Sequence, residues 1–331
     1  MEVAHTQYSM ATKPNMLWLT SLPPREYGDP CLNFFNESWV CFTDNVKAHL
    51  YVNMTIEPND PVSMYGCQRD CPWHLHDISQ PALTLPYVYT FNDLRQNGNT
   101  PVYVLDTWID TQHPEFEGRV QMGAHFTQGS SNGHGTHVAG LIASRTFGVN
   151  KRARVVGVQV LDDHGFGSWQ TILTGMQWVS TQPVGIINMS IGGGKSMIVN
   201  RLVRAMSARG WRFVVAAGND YQDACNYSPA SAYEAVTVGA VDSSTKFSQF
   251  SNYGKCLDLL APGDSVLSTW PGGLLAYMSG TSMAAPIVAG LWSLYPEWDR
   301  HKIVRASRAR VVSMLPLGTT NREAYVNNGH C

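Results

Sequence analysis

From about residue 100 onward the chain alternates between two hydrophobic rhythms. PVYVLDT (101–107), RVVGVQVLD (154–162), GIINMS (185–190), RFVVAAGN (212–219) and AVTVGAV (235–241) are short, mostly apolar runs rich in β-branched residues. Such runs predict strands buried on both faces. Between them apolar positions recur at helical spacing: Ile172, Leu173, Met176 and Val179 within 168–180, and Val199, Leu202, Val203 and Met206 within 196–209. Ser168 stands where an N-cap belongs, and Gly210 where a helix-ending glycine belongs. A further helix is predicted to begin near Ser282 in SGTSMAAPIVAGL (279–291), where Pro286 is tolerated in or just after the first turn. Strands alternating with helices imply right-handed βαβ units and an α/β fold around a mostly parallel sheet. Ligands and catalytic groups then belong at the C-terminal ends of the strands.

Residues 1–70 do not share this rhythm; turn clusters at PPREYGDP (23–30) and EPNDP (57–61) punctuate an irregular stretch. With 331 residues and 44% hydrophobic content, the chain suits one large α/β domain plus a small appended region. Its net charge of −2 offers no basic field for nucleic acid. No run of eighteen apolar residues exists, so no membrane span is expected. The N-terminus lacks a basic start followed by an apolar segment, so no secretory signal is visible. The seven cysteines, at 31, 41, 67, 71, 225, 256 and 331, form no CxxC pair, and their odd number leaves at least one unpaired within the chain.

The strand-end rule singles out polar groups. VYVLD ends at Asp106, IINMS at Ser190 and VVAAGN at Asn219. Each alone reads as a cap or turn former. SNGHGTHVAGL (131–141) adds His134 and His137, which taken locally are metal ligands, a base with a bystander, or loop residues. Zinc binding of the H-E-x-x-H kind is excluded, because the glutamate is missing. Ser282, at a helix start, has an exposed hydroxyl and a backbone N–H at the positive helix end. Asp106, His134, Ser282 and Asn219 together supply an orienting carboxylate, a base, a nucleophile and an amide donor, the roles that acyl transfer to serine requires. Their order, Asp then His then Ser, differs from that of α/β-hydrolases and of chymotrypsin-like enzymes, and GTSMA lacks the last glycine of G-x-S-x-G.

These segments resemble the blocks of the subtilisin-like serine proteases, and among them the proteinase K group. VYVLDTWIDTQHPEFEGR (102–119) resembles the aspartate block and NGHGTHVAGLIASRTFGV (132–149) the histidine block. NMSIGGG (188–194), VVAAGND (214–220), NYSPAS (226–231), SNYG (251–254), LAPG (260–263) and SGTSMAAP (279–286) follow in order. The resemblance spans roughly residues 70–329 and implies a subtilisin-like three-layer α/β fold with a mostly parallel central sheet. It also implies a serine endopeptidase with Asp106, His134 and Ser282 as catalytic triad and Asn219 in the oxyanion hole, leaving His137 as a packed histidine.

By the same resemblance, Gly165 and Gly167 pair with an extended substrate and Ser190, Ile191 and Gly192 form the opposite edge. Ala216, Ala217 and Gly218 make another wall of the S1 pocket and Tyr227 its floor, which suits apolar or aromatic P1 residues. Cys225 and Cys256 match a disulfide of some relatives. Asp258, with the carbonyls of Tyr233 and Ala235, matches a structural calcium site; no other cofactor is required. Residues 1–70 resemble a small α+β inhibitory propeptide ahead of a catalytic domain at 71–331, with self-cleavage near residues 69–71. The implied protein is a monomer acting on protein or peptide substrates, inhibited by its own propeptide, in an extracellular, secretory or vacuolar setting.

The main departure is Trp108, where the family usually has a small residue two places after the aspartate. An indole there distorts Asp106 or swings outward. Two readings of different classes therefore stand: an active serine endopeptidase, and a catalytically silent subtilase fold used for binding or regulation.

Overall fold

The computed structural model describes residues 16–20, 31–34, 38–43, 55–58, 65–82, 85–92, 95–96, 98–309 and 312–326. The chain divides into two units, 1–63 and 64–331. In the first, Met16–Thr20 runs antiparallel to both Ser38–Thr43 and Thr55–Pro58, and Cys31–Phe34 completes a four-stranded sheet with Cys31 opposite Cys41. Cys331 lies outside the described residues.

The second unit begins with Tyr65–Arg69, paired antiparallel with Val88–Asn92. Its centre is a nine-stranded sheet among the described residues. All five strands expected from the apolar runs are present: Val102–Asp106, Val155–Gln159, Ile186–Met189, Arg212–Ala216 and Val236–Val241. Val102–Asp106 lies between Val155–Gln159 and Ile186–Met189, parallel to both. From it the chain first moves towards one edge of the sheet, then returns and builds towards the other. Asp106 therefore ends the strand at the switch point, where α/β sheets open a crevice.

Two parallel strands escaped the sequence pattern. Val120–His125 is an edge strand with one exposed face and a register shift between Met122 and Ala124. Leu259–Pro262 is short and ends in proline. At the far edge, Arg308–Ala309 pairs antiparallel with Arg322–Glu323.

Helices cover both faces, because alternate residues of each strand point to opposite sides. Val104 packs in one core with Val138 and Leu141 of helix His134–Ala143 and with Ile287 and Val288 of helix Thr281–Leu294. Tyr103 and Leu105 pack in another with Ile172 and Met176 of helix Trp169–Val179 and with Val203 and Met206 of helix Met197–Ser207. Ser168 caps as expected, accepting from Thr171 N, and Ser196 does the same for Val199 N. Helix Thr281–Leu294 is apolar all round and buried at every residue except Ser282. Among the described residues no helix is long and apolar enough to cross a membrane.

Candidate active site

Asp106, fully buried at its strand end, accepts a 2.7 Å hydrogen bond from His134 Nδ1 through Oδ1. The same oxygen accepts from Thr107 N at 2.7 Å. His134 is the first residue of its helix, and Gly135 lets that helix start against the strand. A Cβ at Gly135 would lie 2.6 Å from Thr107 O, so a larger residue would push His134 away from Asp106. The loop before the helix is pinned: Asn132 Oδ1 accepts from His134 N (2.9 Å), and Asp163 Oδ1 accepts from Ser131 N (2.8 Å). Partial burial pulls the His134 pKa down, but the charge and hydrogen bond of Asp106 outweigh it and hold the imidazole above its ordinary value.

His137, one turn on, has its Nε2 between the carbonyls of Val266 (3.1 Å) and Ala276 (3.0 Å). Burial lowers its pKa to about 4, so it is a neutral donor that ties the helix to a neighbouring hairpin. The two histidines thus engage different partners.

Ser282 is the second residue of its helix, where backbone N–H groups have no intrahelical acceptor. Pro286 cannot donate to the carbonyl four residues earlier, which is that of Ser282. Ser190 Oγ donates to that carbonyl instead, at 2.8 Å. In return Ser282 Oγ donates to Ser190 O at 3.1 Å. Asn188 Nδ2 donates to Ser190 Oγ at 3.0 Å, so the end of strand Ile186–Met189 is coupled to the start of the helix. Asn219 Oδ1 accepts from Thr281 N (2.8 Å) and Thr281 Oγ1 (2.9 Å). That pairing assigns the amide orientation and leaves Nδ2 as the donor in the pocket that Ser282 also lines.

Two cavities meet at Ser190, Ile191 and Gly192. One, of about 430 Å³, is lined by His134, Gly165 and Gly167 and by Phe166, Ile172, Trp270 and Met278. Phe166 is 74% exposed, because Asp162 Oδ1 accepts from His164 N and Phe166 N (both 2.9 Å) in a turn that lifts the segment outward. The other, of about 350 Å³, is lined by Ala216, Ala217, Gly218, Asn219, Tyr227 and Ser282, and by Asp220. Gly193–Gly194 pairs antiparallel with Tyr227–Ser228 and joins two of its walls. Asn252 holds the segment carrying Gly218 and Asn219. Its Nδ2 donates to Ala217 O (2.9 Å), and its Oδ1 accepts from Asp220 N (3.1 Å) and Gln222 N (2.9 Å). A larger cavity, about 680 Å³, opens at the other ends of the strands beside Pro101, Arg154 and Trp178 and contains none of these residues.

Sequence reasoning did not assign Asp220, Asn252, Thr281, Phe166 or Trp270. SNYG carried a signal for Asn252 without its purpose, and Thr281, beside Ser282, carries no signal of its own. Trp270 comes from hairpin Val266–Trp270 and Leu274–Met278, which the apolar pattern did not separate from a loop.

Cys225 and Cys256 form a disulfide with their Cα atoms 5.4 Å apart. Cys67 is also disulfide-bonded, and Cys71 is free and buried. Asp258, Tyr233 and Ala235 do converge, but around a side chain. Arg300 Nη2 donates to Asp258 Oδ1 (2.5 Å), Arg300 Nε donates to Ala235 O (3.0 Å), and the guanidinium lies 4.8 Å over the Tyr233 ring. Asp258 Oδ2 accepts from Thr237 N at 2.9 Å. Calcium takes six to eight oxygens, whereas here the Asp258 carboxylate and the Ala235 carbonyl are engaged with a guanidinium and Tyr233 meets it through its ring, so this set does not fit calcium.

The model of the subtilase family matches residues 97–320. The chain belongs to the subtilase family. This subtilase is 43% identical over 298 residues to proteinase R of Parengyodontium album, covering 85% of this chain and 76% of that protein. It is 44% identical over 297 residues to a cuticle-degrading serine protease of Arthrobotrys oligospora, covering 83% and 72%. A crystal structure of a cold adapted subtilisin-like serine proteinase superposes with a TM-score of 0.73 at 38% identity, covering 77% of this chain and 98% of that one. The subtilase is a serine endopeptidase with the three-layer α/β fold of that group.

Proposed function

We propose that this subtilase cuts peptide bonds by acyl transfer to Ser282, with His134 as general base and Asp106 as the carboxylate that orients it. The observation that supports this most is the 2.7 Å bond from His134 Nδ1 to Asp106 Oδ1. It directs the Nδ1 proton to the carboxylate and leaves Nε2 as the basic nitrogen. Ser282 Oγ releases Ser190 O by a χ1 rotation, passes its proton to His134 Nε2 and attacks the scissile carbonyl. Asn219 Nδ2 and Ser282 N donate to the oxyanion of the tetrahedral intermediate. Collapse expels the amine, which takes the proton from His134; water then repeats the sequence to free the acid and Ser282.

An extended substrate lies along Gly165 and Gly167 on one side and Ser190 to Gly192 on the other as an added strand. Its P1 side chain enters the 350 Å³ cavity. Ala216, Ala217 and Gly218 present small apolar walls suited to apolar or aromatic P1 residues. Asp220 lines the same cavity as Tyr227, whose hydroxyl pKa is raised by desolvation and by that carboxylate. This acidic rim extends acceptance to P1 side chains that end in a donor or a positive charge.

Residues 1–70 act as an inhibitory propeptide of a monomeric enzyme, removed by self-cleavage near 69–71. Arg69 and Asp70 are exposed while Cys71 is 3% exposed, so an accessible bond precedes a buried residue. A serine-directed fluorophosphonate probe tests the chemistry, and intact mass tests the processing. Labelling and cleavage near residue 70 that both vanish in Ser282→Ala are expected. A folded, propeptide-free native chain that takes no label would favour the silent binding scaffold.

A further inference from the structure

The three residues matched to a calcium site already hold a positive group, and it comes from a segment with no motif. Arg300 begins helix Arg300–Ala306, 42 residues beyond Asp258. Asp299 caps that helix by accepting from Lys302 N at 2.7 Å, and Ile303 is 1% exposed in the main core. The guanidinium is therefore carried on an anchored element. It donates to the Asp258 carboxylate and the Ala235 carbonyl through two different nitrogens and lies over the Tyr233 ring. Both charged side chains are mostly shielded, at 20% and 17% exposure.

We propose that Arg300 is the resident cation of this site, so that a guanidinium rather than a calcium ion ties the ends of strands Val236–Val241 and Leu259–Pro262 to helix Arg300–Ala306. The charges explain why the two occupants exclude each other. One carboxylate and one guanidinium make a neutral, hydrogen-bonded pair. A divalent ion at the same oxygens would have to displace the guanidinium, or sit beside it with like charges in contact and one carboxylate between them. The geometry also suits a fork of donors better than a sphere. The carboxylate and the carbonyl each meet a separate N–H, and the ring covers the guanidinium face.

The test is thermal unfolding of the full chain carrying Ser282→Ala, in calcium chloride and in chelator, with terbium luminescence as the probe of metal binding. Trp211, Trp298 and Tyr233 line the adjoining cavity and would sensitise a bound lanthanide. The expected midpoint is the same with calcium and with chelator to within about 1 °C, and Arg300→Ala lowers it by about 5 °C or more. Arg300→Lys should fall between them, because it keeps the charge and loses the fork. A calcium-induced rise or a terbium signal that Asp258→Asn abolishes would overturn the proposal, as would an Arg300→Ala midpoint equal to that of the parent. A calcium response that survives Asp258→Asn arises elsewhere and upholds the assignment. Should Arg300→Ala not fold, the lysine variant and the metal readouts on the parent chain decide.

Discussion

The indole of Trp108 lies nearly flat on the imidazole of His125, with ring centroids 5.2 Å apart and planes at 19°. The bulky residue two places after Asp106 is thus turned onto the edge strand Val120–His125, and Asp106 keeps its 2.7 Å bond to His134. His125 Nδ1 in turn meets Gln159 Oε1 at 3.2 Å, and Gln159 Nε2 donates to Gly129 O at 2.7 Å. Trp108 thereby supports the loop that leads into His134 through His125 and Gln159.

Replacing Trp108 by glycine should therefore act on stability more than on chemistry. Loss of the stacked pair and added backbone freedom should together cost about 1–2 kcal/mol. Peptide hydrolysis should change less than about threefold, because the Asp106–His134 pair remains. Parallel measurement of kcat/KM and unfolding midpoint separates the two effects. A large gain in activity would show instead that the indole restrains the site.

The acid limb of the kcat/KM profile should report His134. Hydrolysis needs the neutral ring, and pairing with Asp106 raises the pKa above 6.5, so activity should rise with pH through a midpoint higher than that of free imidazole. Asp106→Asn should lower that midpoint and reduce kcat on the order of 10³–10⁴-fold through the wrong tautomer. A midpoint unmoved by Asp106→Asn would assign the limb to another group.

Two buried histidines predict acid lability. Burial lowers the pKa of His74 and of His137 from 6.5 to about 4. Between those values the unfolded chain takes up protons that the folded chain refuses. The stability these rings contribute is present above pH 6.5 and lost as pH falls towards 4, at about 1.4 kcal/mol per pH unit for each. His134, with its pKa raised, acts in the opposite sense: its contribution is complete below pH 6.5 and is lost as pH rises through the folded value. Unfolding midpoints of Ser282→Ala should fall from pH 6.5 to 4.5, and His74→Gln should flatten that slope.

The Cys225–Cys256 bridge closes a loop of 31 residues that contains Tyr227 and Asn252. Loop-closure entropy assigns it about 3–4 kcal/mol. A double serine variant should lose that much by denaturant unfolding. Reductant should lower the midpoint of the parent more than that of the variant. The variant should also bind substrate less tightly, since the freed loop carries one wall of the P1 cavity and the asparagine that holds another.

Asp220 should shape P1 preference. Exposed carboxylates contribute about 1 kcal/mol to pairing, so Asp220→Asn should reduce kcat/KM for a P1 lysine peptide about fivefold. A P1 leucine peptide should change little. Equal losses on both peptides would mean that Asp220 serves the loop and not the pocket.

Much of the architecture was decided locally. Apolar runs rich in β-branched residues specified five of the parallel strands, and period-3.6 spacing, with Ser168 before one helix and Gly210 after the other, specified two helices, because burial on two faces or one face leaves that mark on neighbouring residues. The same logic located Asp106 at a strand end, with Ser190 one residue and Asn219 three residues beyond theirs. What required the tertiary structure was every relation between distant segments. The Ser190 hydroxyl filling the carbonyl freed by Pro286, the Thr281 clamp on Asn219 and the resting place of Trp108 depend on which strands become neighbours. Arg300 entering a site first read as a cation's is the clearest case: nothing in WDRHK marks an arginine as the partner of Asp258, since pairing across 42 residues is set by where a helix docks and leaves no periodicity in the chain.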